Sequence, residues 1–187
     1  MATGNNALRS LCGIALCGVS VLLLSGCLAS APPRPQTLPM PEFRPEVFFS
    51  GRTKGEGKLL QRWHAPKALH VEGLGQMEAD STFRLDQTVT FRDGTMEKRT
   101  WHMRRLDAHT YSATLSDAAG KVSAETHGNL FHLRYLLRQP AVYMEQWIYL
   151  QPGGRVANNE ATVTILGVPW VRLSERITRS DSAISPR

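Results

Sequence analysis

The chain is poor in cysteine: Cys12, Cys17 and Cys27 are its three, and none follows residue 27. A disulfide framework or a cysteine metal site in the remaining 160 residues is thereby excluded. Catalytic signatures are missing too. There is no G-x-S-x-G elbow, no H-E-x-x-H, no phosphate-cradling G-x-x-x-x-G-K-[ST] and no dinucleotide fingerprint opening a helix. Six histidines (His64, His70, His102, His109, His127, His132) stand singly, with no H-x-H pair. His102 and His132 each alternate with apolar residues and could meet across strands. No catalytic residue, cofactor or metal ligand is assigned. Runs of one charge are also lacking. Lys+Arg 22 against Asp+Glu 16 gives a net charge of +6, but the excess is scattered and no helix-turn-helix or RNA-binding aromatic signature accompanies it, so nucleic acid is set aside as a partner.

What is present begins with an address. With 187 residues, 42% of them hydrophobic, the chain is long enough for one domain with a real core. Arg9 and the amino terminus make a weakly positive start, Leu11 to Leu24 an apolar stretch, and Ser25-Gly26 the small pair of a secretory signal. The run LLSGC resembles the lipobox of bacterial lipoproteins. That resemblance implies that Cys27 receives a diacylglycerol and becomes the mature amino terminus, an anchor that needs more than one acyl chain to hold firmly. Leu11 to Ala31 is uncharged and approaches the roughly 20 residues of a spanning helix, but the small pair and the cysteine favour cleavage. Leu28 stands where an aspartate would resemble an inner-membrane retention signal, which places the expected anchor in the outer membrane, on its periplasmic face. Residues 1–26 are thus read as signal peptide. Residues 27–45 are read as the lipidated Cys27 and a semi-rigid tether, because six prolines lie between Leu28 and Pro45. Residues 46–178 remain as the domain and 179–187 as a polar tail.

Within the domain the dominant signal is alternation. In TFRLDQTVTF, Phe83, Leu85, Val89 and Phe91 share one face, and Arg84, Asp86, Thr88 and Thr90 the other. Asp93-Gly94 follows, and TMEKRTWHMRRL resumes the pattern, so the two runs read as a hairpin. Similar runs recur as GEGKLLQRW, ALHVEGLGQME, TYSATLS, GKVSAET, NLFHLRYLL, YMEQWIYL, NEATVTILG and WVRLSERIT, separated by turn-rich clusters such as SDAAG and QPGG. VPWVRLSERIT would also allow a helix opening at Pro169, but Val171, Leu173 and Ile177 alternate, and strand is preferred. About ten short strands without a long amphipathic helix predict an all-β, antiparallel up-and-down barrel, whose closure removes both sheet edges.

The stretches FFSGRTKGEGK, TFRDGTMEKRTW, HGNLFHLRY, EQWIYL and NNEATVTILG, in that order, resemble an uncharacterised family of Gram-negative envelope lipoproteins, a domain of unknown function with a lipocalin-like fold. The resemblance implies fold and location and carries no established activity. The sequence departs from the family pattern at Trp63-His64-Ala65-Pro66, where a short glycine hairpin is usual, and at Glu145-Gln146, where an acidic pair is usual.

A barrel of this size is either filled by its own side chains or holds one small ligand. Arg99 shares a strand face with Trp101 and Met103, with Arg105 ending that face, and Arg134 stands beside Tyr135. An inward arginine among aromatics could pair a ligand carboxylate or phosphate while the rings cover its chain. Equally, such an arginine could pack its stem on an aromatic at the rim and wet its head. In YMEQWIYL, Trp147 and Tyr149 alternate with Ile148 and Leu150, so both faces are apolar and the outer one requires a cover, a membrane or a partner. Arg99, Trp101, Arg134, Tyr135 and Trp147 are the candidate ligand residues, for a fatty acid, a phospholipid or another apolar molecule. The competing reading is a ligand-free interaction module of the envelope. An enzyme is the third, since a site assembled across strands escapes a motif search.

Overall fold

The computed structural model describes residues 35–180. The expected signal peptide, Cys27 and most of the expected tail lie outside them. Ten strands follow one another: β1 (Gly51–Gln61), β2 (Lys67–Met77), β3 (Phe83–Phe91), β4 (Met96–Arg105), β5 (Thr110–Leu115), β6 (Val122–His127), β7 (Leu130–Arg138), β8 (Val142–Leu150), β9 (Val156–Ile165) and β10 (Val168–Ser180). Each pairs antiparallel with its successor, and β10 returns to β1 to close the barrel. Among the described residues no strand is left with an unpaired edge.

The alternation fixes which side chains fill the interior. On β3 Phe83, Leu85 and Val89 are buried inside, opposite Met103, Trp101 and Glu97 of β4. Asp93 and Gly94 make the turn, with Gly94 at φ +85°. On β10 Leu173 and Ile177 point inward, so the helix alternative for this stretch gives way to strand. Pro169, which cannot donate to a ladder, sits at a register shift between Pro169 and Val171.

The segment before β1 was expected to be tether as far as Pro45, and here the structure corrects the boundary. Phe43 is fully buried and its N–H donates to the Gly128 carbonyl at 2.7 Å. Leu38 and Asn129 exchange bonds, the Leu38 N–H donating to Asn129 Oδ1 (2.7 Å) and the Asn129 N–H to the Leu38 carbonyl (2.8 Å). A single turn, α1 (Pro45–Phe48), follows. It is too short to show a 3.6-residue period, so no helix was readable there. Its Phe48, with Phe43 and Phe49, packs ring against ring with centroids 4.9 to 6.3 Å apart, and Phe43 meets Phe131 of the wall at 5.6 Å. The Tyr111 hydroxyl donates to Glu46 and ties α1 to β5. Together these residues make a floor across one end of the barrel.

Two glycines seat that floor. A Cβ at Gly75 would run into the Phe49 carbonyl and the Phe83 ring. Gly128 has φ +55° and lies against the Leu38 carbonyl, where a side chain would meet both backbone strain and a clash. The opposite end, ringed by the β1–β2, β3–β4, β5–β6, β7–β8 and β9–β10 turns, has no such plug among the described residues.

Candidate functional site

Halfway along the interior, polar side chains occupy positions that the strand period assigns to the core. Gln87 stands between Leu85 and Val89, Gln146 between Met144 and Ile148, Asn159 between Ala157 and Ala161, and Glu175 between Leu173 and Ile177. With Arg99, Trp101 and Tyr135 they form a belt drawn from six strands, β3 and β4 on one side and β7 to β10 on the other. Gln87 Oε1 accepts from Arg99 Nε at 3.0 Å and from Trp101 Nε1 at 2.9 Å. Gln146 Nε2 donates to the Tyr135 hydroxyl at 2.8 Å, and Asn159 Nδ2 donates to Glu175 Oε2 at 3.0 Å and to Gln146 Oε1 at 3.3 Å. The Trp101 and Tyr135 rings meet edge to face at 5.6 Å. Glycine makes room for the carboxylate, since a Cβ at Gly55 would strike the Glu175 carboxyl.

The belt divides the interior unequally. Toward the floor, a space of about 30 Å³ remains among Phe49, Met103, Phe131, Ile148 and Ile177, room for about one water. Toward the open end lies a cavity of about 220 Å³ walled by Leu69, Val71, Val89, Leu137, Val163 and Leu173. Arg99 and Glu175 line both spaces. The barrel is therefore packed below and hollow above.

The electrostatics of the belt are incomplete. Burial pushes the Glu175 carboxyl above the usual carboxylate range, opposed by the Asn159 bond and the charge of Arg99. Burial likewise pushes the Tyr135 hydroxyl up to about 12, so it stays a neutral partner. Arg99 has no ion-pair partner among the described residues, its one hydrogen bond going from Nε to Gln87. Asn159 Oδ1 is buried with no hydrogen-bond partner among the described residues. An arginine with no carboxylate in contact and an unsatisfied amide oxygen, both beside a cavity, are costs that an occupant can relieve.

Glu175 gives a pH signature. Its folded pKa lies above the unfolded value, so its contribution is fully present at acid pH and is lost as pH rises through the folded pKa. Glu175→Gln is expected to stabilise the protein at neutral pH and to flatten the fall in unfolding free energy above about pH 4.5. Denaturant melts of both proteins from pH 4 to 8 check this; parallel curves would show that the carboxyl is not held neutral.

A model of the family described as protein of unknown function (DUF3833) matches residues 21–177. The chain belongs to that family. A search of curated proteins returns no match. Among solved structures, the DUF3833 barrel is similar to an S-type phycobiliprotein lyase from Guillardia theta, with a TM-score of 0.58 and 10% identity, over 74% of this chain and 93% of that one. It is also similar to a protein of unknown function from the DUF3598 family of Nostoc punctiforme, with a TM-score of 0.53 and 14% identity, over 79% of this chain and half of that one. At these identities the likeness shows the lipocalin-like fold alone.

Of the ligand residues expected from sequence, the DUF3833 barrel brings Arg99, Trp101 and Tyr135 together and excludes two. Arg134 faces outward, its guanidinium 5.4 Å over the Tyr143 ring. Adjacent residues of a strand point to opposite faces, so Arg134 could not join Tyr135 inside. Trp147 is also on the outer wall, stacked on His132 at 5.4 Å. It is nonetheless buried, as is Tyr149, so the outer face of β8 is covered. His102 and His132 do not meet, being on β4 and β7 with two strands between. Instead His132 lies between two acids, Nδ1 3.0 Å from Glu125 and Nε2 2.9 Å from Glu145. The second carboxylate beside Glu145 thus comes from β6 rather than from position 146.

Gln87, Gln146, Asn159 and Glu175 were not singled out from sequence. The signal was there: each is a polar residue in phase with apolar neighbours two positions away on both sides, a placement that is costly unless the group is bonded inside.

Proposed function

We propose that the protein is an envelope-anchored binding module whose barrel takes a single-chain anionic amphiphile, a fatty acid or a lipid of similar size, through its open end. The observation that carries this reading is the 220 Å³ cavity, walled mostly by apolar side chains, with Arg99 at its base out of contact with any carboxylate and Glu97 and Asp117 toward its mouth. The apolar walls suit a hydrocarbon chain, and a guanidinium recognises a carboxylate or phosphate oxygen in two-pronged fashion. The cavity holds about seven water volumes, small for a two-chain phospholipid. The reading assigns no catalytic step. Titration of the protein with a fluorescent fatty acid tests it: saturable binding is expected. If no common fatty acid or phospholipid saturates, the ligand-free interaction module becomes the better account, an alternative favoured by the near-complete filling of the lower half.

The proposed address is the periplasmic face of the outer membrane, through acylated Cys27. LLSGC and the apolar stretch before it support it. Metabolic labelling with an alkyne fatty acid is expected to mark the wild type and to leave Cys27→Ser unmarked. Equal labelling of the two removes the anchor from the proposal.

A further inference from the structure

The rim of the open end carries features that neither folding nor the cavity uses. Trp63 and Leu166 sit at the tips of the β1–β2 and β9–β10 turns with φ of +63° and +51°. Left-handed backbone favours glycine, asparagine or aspartate, and bulky residues there are uncommon. Both side chains are spent outward, 79% and 75% exposed. Leu60, Met96 and Val168 add exposed apolar surface around the same opening. The Trp63 ring stands edge-on to Trp170 at 5.1 Å, and the Arg62 guanidinium lies 4.9 Å over Trp63, with its Nε buried and unbonded.

The floor end also exposes apolar residues, Leu38, Met40, Val47, Met77 and Leu106, but no tryptophan, and its charge is closer to balance. At the floor end Arg44, Arg52, Arg104, Arg105, Arg155 and Arg179 stand with Glu42, Glu46, Glu78, Asp80 and Asp107, six cations to five acids. At the open rim Arg62, Lys67, Arg92, Lys121 and Arg138 stand with Asp93, Glu97 and Asp117, five cations to three acids. Apolar tips, interfacial tryptophans and a basic excess together match the surface of an anionic bilayer, where rings settle at headgroup depth and arginines meet phosphates.

We infer that the open rim docks on an anionic phospholipid membrane, with Trp63 and Leu166 entering the headgroup region and Arg62, Arg92 and Arg138 contacting phosphates. The rim contact is separate from the proposed lipid anchor and from the ligand titration. The anchor, if present, permits it: seven residues separate Cys27 from Pro35, at most about 28 Å of chain. Pro35 lies beside Gly57, Lys58 and Glu160 on the outer wall.

The test is quenching of tryptophan fluorescence by bromine-labelled lipid, using the full chain reconstituted in vesicles of phosphatidylcholine with about one-third phosphatidylglycerol. Trp101 and Trp147 are buried in the protein, so quenching reports Trp63 and Trp170. Strong quenching is expected, falling sharply in pure phosphatidylcholine or at high salt. Arg92→Gln with Arg138→Gln should lower the ratio of docked to undocked protein by about thirtyfold. Leu166→Asn should weaken quenching while leaving the melting temperature unchanged or raised, because asparagine accepts the left-handed turn. Quenching that is absent, or equal in wild type and variants, overturns the inference. So does rim-to-rim crosslinking between copies in place of lipid quenching, which would make this surface a self-association site.

Discussion

Trp101→Ala is expected to cost about 3–5 kcal/mol of unfolding free energy, the range for removing a buried large aromatic. Trp101 is 4% exposed, opposes Leu85 and Leu115 across the sheet, and meets Tyr135 edge to face. Truncation loses the transfer free energy of the indole and leaves a hole that the walls, held in register by both neighbouring strands, cannot close. It also leaves Gln87 Oε1 with Arg99 alone as donor. Trp101→Phe keeps most of the volume and should cost clearly less. Urea unfolding of the three proteins measures this, and an unchanged midpoint in Trp101→Ala would mean that the belt does not organise the barrel.

The second large effect falls on binding. For an anionic amphiphile seated in the upper cavity, Arg99→Ala should weaken affinity by about ten- to a hundredfold, the loss of one charge-assisted hydrogen bond worth roughly 1.5–3 kcal/mol. Arg99→Lys should recover only part of it, since an ammonium restores charge but not the planar fork. Arg99 also bonds Gln87 inside the protein, so melts must accompany the titrations. An arginine that serves structure alone would shift the melting temperature in both variants and leave affinity for a fluorescent fatty acid unmoved.

Much of the barrel was legible because a strand with one face inside writes a period of two into its sequence. Phe83, Leu85 and Val89, or Val171, Leu173 and Ile177, state their phase without help. The floor was not legible. Phe43, Phe48 and Phe49 belong to no period, and the prolines around Phe43 announce extended chain whether or not an aromatic among them is buried. The site was half legible. Arg99 and Trp101 share a face and so were placed together, whereas Arg134 was drawn to Tyr135 by adjacency, which in a strand means separation. Glu175 meets Asn159 only across the β9–β10 ladder, 16 residues away in sequence. Local patterns do not encode such pairings; closure of the sheet does.

The aromatic floor makes the interior a cul-de-sac, and that dictates an order of passage. Whatever part of a guest goes in first comes out last. An amphiphile whose charged group rests on Arg99 has entered headgroup first, the way it already points when it faces the protein from a lipid leaflet, so no inversion is needed on the way in. Its hydrocarbon end leads on the way out and is what an acceptor meets first. A second guest must wait until the first has gone.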